Sequence, residues 1–166
     1  MSHRTLRSIW RDHEGSALVE SAVLLPVLFV LVFGVFEFSW LICQEHLIST
    51  GICDAARYIA HSTNPNDPTI KKDAKYLATT GAIDGDTPRV SGWTPDDVEI
   101  SYSFTNNLTN EDGLPNFRGG NVIESVTVST TFTVPSLGFF GFLGLKPPAL
   151  TVSHQERVIG PGQVSR

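Results

Sequence analysis

The chain lacks the short signatures of common catalytic chemistry: no HExxH, no GxSxG and no Cys/His spacing suited to a metal occurs in it. Its histidines, His3, His13, His46, His61 and His154, stand singly. His154 with Glu156 specifies no acid–base pair, because such a pair is defined by geometry before chemistry. Residues 135–149, PSLGFFGFLGLKPPA, are glycine-rich, but no GK[ST] follows and the spacers are aromatic, which excludes a phosphate loop. Between Thr105 and Gly120 lie Asn106, Asn110, Glu111, Asp112 and Gly113. Leu108 occupies a position where an EF-hand needs a ligand, so a solvated loop is expected. Asn107-Leu108-Thr109 fits a glycosylation sequon, a pattern short enough to arise by chance. No catalytic residue, metal or cofactor is expected.

Basic charge is also scarce. Lys and Arg number 12 against 17 Asp and Glu, for a net charge of −5. The only early cluster of like charge is Arg4, Arg7 and Arg11, and without a basic stripe nucleic acid is excluded as a partner. Cysteine is limited to Cys43 and Cys53. On one helix their ten-residue separation amounts to about 15 Å, beyond disulfide reach. They are expected to be small apolar side chains in a packed helix. An intersubunit disulfide is the alternative if the segment faces an oxidising compartment.

The chain is also nearly free of charge between Ser21 and Ile42, SAVLLPVLFVLVFGVFEFSWLI, where Glu37 is the sole exception. This run matches the length of about 20 residues that a helix needs to cross a bilayer. Its upstream arginines and downstream Glu45 and Asp54 predict a cytoplasmic N-terminus, with everything after Trp40 on the far side of the membrane. Trp40 suits the far interface, and Glu37, within a turn of it, is expected to reach toward headgroups. A secretory signal would have an apolar core of only about 7 to 15 residues before a small-x-small cleavage site, whereas this run continues through bulky residues. A buried helix of a soluble core would keep a polar face, which LLPVLFVLVFGVF lacks. Pro26 and Gly34 lie within the span, and a modest bend is expected near Pro26.

Glu20 stands one residue before this run, and its neighbours carry a resemblance. Glu14-Gly15-Ser16-Ala17-Leu18-Val19-Glu20-Ser21-Ala22-Val23-Leu24-Leu25-Pro26 resembles the opening of the TadE-like family of minor pilins, or pseudopilins, of the tight-adherence (Flp-type) pilus. Ser21 stands where that family typically has an aromatic residue. The resemblance implies a prepilin peptidase that cuts after Gly15 and leaves Ser16 as the first and Glu20 as the fifth mature residue. It also implies that Glu20 and Pro26 serve assembly register. An ion pair between the new α-amine at Ser16 and the Glu20 carboxylate of a neighbouring subunit would be left unmade by an axial slip, which is costly in a low-dielectric layer.

Beyond Trp40 the helical pattern continues through Leu41, Ile48, Ile52, Ala55, Ala56 and Ile59 and stops at Thr63-Asn64-Pro65. One helix about 70 Å long is predicted, half span and half stalk, with Gly51 as a weak point or close-packing contact. Asp54-Ala55-Ala56-Arg57-Tyr58 also resembles the "Ala-Ala-Arg" stretch of TadE-like helices. A second helix is predicted from an Asp67 cap and Pro68 to a stop at Gly81. Strands are predicted over Val98–Phe104, Val122–Val134 and Leu150–Ile159. The fold class expected is α+β: a long N-terminal transmembrane-plus-stalk helix with a small antiparallel sheet domain, pilin-like. Its parts are a cytoplasmic leader (1–15), the transmembrane and stalk helix (16–61) and a periplasmic α+β domain (62–166). Phe139, Phe140, Phe142 and Leu143 form an apolar loop, expected to be buried against the helix, to lie at the membrane interface or to form a contact patch.

The function expected is that of a TadE-like pseudopilin of the bacterial inner membrane, helping to assemble a pilus used in surface adhesion. Its partners would be the prepilin peptidase, other pilins or pseudopilins, inner-membrane Tad assembly proteins and the lipid bilayer. The alternatives are an uncleaved single-pass anchor whose periplasmic domain binds Tad secretion components, and a secreted domain carrying a signal peptide.

Overall fold

The computed structural model describes residues 13–111, 113–114, 116–117 and 121–159. His3, the leader arginines Arg4, Arg7 and Arg11, Asp112 and Gly120 lie outside the described residues. The elements are α1 (His13–Ala60), α2 (Pro68–Thr80), β1 (Val98–Asn106), β2 (Val122–Thr133), α3 (Phe139–Phe142) and β3 (Ala149–Arg157), with a 3-10 turn at Pro95–Asp97. The α+β class expected from the sequence is the one observed. The chain divides into two compact units, one ending at Ser39 and the other beginning at Trp40.

In the first unit, α1 continues without interruption through Pro26. The missing proline N–H leaves the Ala22 carbonyl without its helical donor. The large apolar side chains from Leu18 to Phe36 are exposed all round the helix, so this stretch is no core helix of a soluble fold. Phe29 and Phe33, one turn apart, have ring centroids 6.2 Å apart and planes tilted by 31°. Ser39 returns its hydroxyl to the Val35 carbonyl at 2.8 Å, the usual way a helix satisfies a serine in apolar surroundings. Glu37 departs from expectation. It is 0% exposed rather than reaching outward, in keeping with the cost of presenting a carboxylate to an apolar medium.

The second unit is built on the last five turns of α1. Leu41, Ile48, Ile52, Ala55, Ala56 and Ile59 recur at three- and four-residue spacings and are all buried, the stripe of an amphipathic helix. Full burial of an isoleucine side chain contributes about 1.5–3 kcal/mol, so Ile48, Ile52 and Ile59 alone anchor the unit. The sheet is antiparallel in the order β1-β2-β3, with Ile100 opposite Val128 and Val128 opposite His154. Val126, Val128 and Thr130 alternate inward from β2, as period-two geometry requires.

Helix α2 begins and ends where its sequence signals lie. The Asp67 carboxylate accepts from the Thr69 N–H at 2.8 Å, Pro68 opens the helix, and Gly81 closes it at φ 88°, a left-handed conformation that favours glycine. Its Ala74 and Ala78 pack into the core with Trp93. Gly51 of α1 proves to be the close-packing contact: a Cβ there would collide with the backbone carbonyl of Ala78 and meet the Trp93 ring at 3.1 Å.

Strand boundaries differ from the sequence pattern by one or two residues, β2 ending at Thr133 and β3 opening at Ala149. β1 runs two residues past Phe104, because Thr105 and Asn106 still find partners in Ile123 and Val122. β3 ends at Arg157. Beyond it the Val158 N–H bonds the Glu124 carbonyl at 2.9 Å and the Ile159 N–H bonds the Ala60 carbonyl at 2.9 Å, so the chain leaves the ladder to cap the end of α1.

Candidate processing and assembly segment

Gly15 and Ser16 are both helical, within α1. Glu20 follows Ser16 by four residues, which places the two on one face about 6 Å apart along the axis. Pro26, six residues beyond Glu20, lies about 120° round the helix from it. Pro26 thus lies on a different face from Glu20. Glu20 is exposed, between Val19 and Val23, which are exposed as well.

The apolar loop behaves as two things at once. Phe140 is buried among core residues, whereas Phe142 is 81% exposed and Leu143 is exposed too. Phe139 is half-buried and stacks on Phe142, with centroids 6.2 Å apart and planes at 22°. A four-residue helix, which the loop reading did not anticipate, sets this division by pointing successive side chains to different sides.

Polar groups cluster where α1 ends. His154 and Glu156, two apart on β3, share a face, and their Nε2 and Oε1 atoms lie 3.1 Å apart. Arg57 Nε stands 3.6 Å from the same carboxylate oxygen. The hydrogen bond from His154 is the main cause that holds the Glu156 carboxyl below its ordinary range, with the charges of His154 and Arg57 acting in the same direction. The sequence left open whether His154 and Glu156 share a strand face, and nothing in it pointed to Arg57. Nearby, the Tyr102 hydroxyl donates to the Pro65 carbonyl, and burial, aided by Glu124, pushes the phenol up to about 12. Both cysteines are free. Cys53 is half-buried, but Cys43 is exposed rather than packed, because it falls off the buried stripe that Leu41 and Ile48 define. Among the described residues no three His, Cys, Asp or Glu side chains converge as a metal site would require.

These features define an α+β protein with, among the described residues, one helix, near the N-terminus, long and apolar enough to cross a membrane. Its N-terminal segment is TadE-like: the family model described as TadE-like protein matches residues 15–57, less than half the chain. The matched stretch opens at Gly15, contains Glu20 and Pro26, and closes at Arg57. That match associates the chain with the minor pilin-like proteins of the tight-adherence pilus, a structural rather than an enzymatic family. No curated protein matches, and no solved structure matches.

Proposed function

We propose that the chain is a TadE-like pseudopilin, inserted with its N-terminus in the cytoplasm and its sheet unit in the periplasm. Prepilin peptidase cuts it after Gly15, and it then joins other pilins or pseudopilins and inner-membrane Tad proteins in assembling an adhesive pilus. The observation that carries this reading is the position of Gly15, Ser16 and Glu20 at the head of an exposed apolar helix, within a family match that itself opens at Gly15. In this reading Glu20 acts through charge. A mature α-amine at Ser16 pairs with Glu20 of a neighbour displaced by about 6 Å along the helix axis, the rise of four residues. Any other displacement leaves two charges unpaired where solvation is poor. Pro26 lies on a different face and contributes to register through helix shape.

Helical structure at Gly15 supports a second reading, an uncleaved single-pass anchor, since a peptidase needs the bond extended. Glu20→Ala and Glu20→Gln, expressed in cells with the complete pilus locus, separate the two. The pseudopilin reading expects normal membrane insertion with a loss of pili and adhesion. Unchanged pilus number and adhesion would remove the register role.

A further inference from the structure

We infer that the β2–β3 loop rests in the lipid interface at the level of Trp40, its apolar tip immersed among headgroups and upper acyl chains; this depends on the reading of residues 21–42 as a membrane span.

The first reason is where the loop starts. The Trp40 indole N–H donates to the Pro135 carbonyl at 3.0 Å, tying the loop's first residues to the helix position that directly follows Ser39 in the chain. Trp40 is the residue type that favours a bilayer interface. Ile42, two residues on, is exposed as well.

The second reason is what the loop exposes. Phe142 is 81% exposed, against 53% and 51% for Phe29 and Phe33 of the apolar helix. Leu143 and Leu145 are also exposed, while Phe140 enters the core and holds α3 in place. From Val134 to Leu145 there is no charged residue, and Lys146 closes the run. An apolar segment bounded by a lysine suits an interface, where the stem lies among lipid and the ammonium reaches anionic headgroups.

Exposure alone would not decide the matter, because the opposite end of the sheet also exposes Phe104, Leu108 and Phe117. That end carries Glu111 within its loop. The twelve residues of β2 separate it from the β2–β3 loop, a distance of about 40 Å. Only the β2–β3 loop combines freedom from charge with a tie to Trp40.

A nitroxide label at Phe142→Cys tests this in the full chain carrying Cys43→Ser and Cys53→Ser, reconstituted in phosphatidylethanolamine–phosphatidylglycerol vesicles. Labels at Val30→Cys and Leu108→Cys provide the references. Collisions of label 142 with dissolved oxygen are expected to exceed those with a water-soluble nickel chelate, as at 30 and opposite to 108, and a label at Leu145→Cys should follow 142. Nickel-dominated collisions at 142 with oxygen-dominated collisions at 30 would overturn the loop placement and leave the span intact. Nickel-dominated collisions at both would overturn the two together. Dipolar broadening at 142 that disappears on dilution with unlabelled chain would assign the loop to a second copy instead.

Discussion

The indole of Trp40 donates a hydrogen bond to the carbonyl of Pro135 at 3.0 Å, across 95 positions of sequence. At the other end of the same unit, Ile159 donates to Ala60 at 2.9 Å. Between these two ties lie the buried stripe of α1 and the inward face of β2, so the sheet is fastened lengthwise along the helix by a polar contact at each end and an apolar seam between.

The two buried or half-exposed indoles should differ in worth. Trp93 has 1% exposure and donates to Thr130 Oγ1 at 3.1 Å, which in turn donates to the Asp97 carbonyl at 2.7 Å. Trp40 is 38% exposed, so water can replace its bond. Trp93→Phe is expected to cost about 1–3 kcal/mol and Trp40→Phe less than about 1 kcal/mol. Urea unfolding in detergent micelles measures both, and equal losses would argue against a buried Trp93–Thr130–Asp97 chain.

Gly51→Ala tests the seam between α1 and α2. Alanine favours a helix over glycine by about 0.5–1 kcal/mol. The new methyl group would fall on the Ala78 carbonyl, and overpacking of this kind costs about 1–3 kcal/mol. A net loss in thermal stability is expected, and a gain would show that the helices do not approach as closely as described.

Glu156 sets part of the acid response. Its folded carboxyl lies below the ordinary value of 4.5, first because His154 donates to it. The unfolded chain therefore takes up that proton more readily, so the stabilisation is present above about 4.5 and is lost as pH falls through the folded value. Glu156→Gln should flatten that portion of the stability profile in urea titrations at stepped pH. Acid limbs that superimpose would mean the pairing with His154 and Arg57 is absent in solution.

Local signals were the readable ones. Asp67, Pro68 and Gly81 bound α2 because caps depend on residues within a turn of one another, and the alternation of β1 and β2 reflects a face shared by neighbours. Contacts set by tertiary geometry were not readable. Val90 and Trp93 sit in the core from within a polar, irregular stretch that has no periodicity. Arg57 meets Glu156 from a different element. Glu37 shows the limit most plainly, since composition predicted an outward carboxylate and the side chain is buried. For the proposed processing segment, the motif named Gly15, Ser16 and Glu20, and helix geometry added that Pro26 lies on a different face from Glu20.

The N-terminal residue of the protein extracted from membranes of cells carrying the whole pilus locus tests the central claim most directly. Ser16 is the residue predicted, with Gly15→Phe leaving the precursor uncut. A chain that begins at Met1 would contradict the account and favour an uncleaved anchor, and one that begins beyond Trp40 would identify the apolar run as a signal peptide.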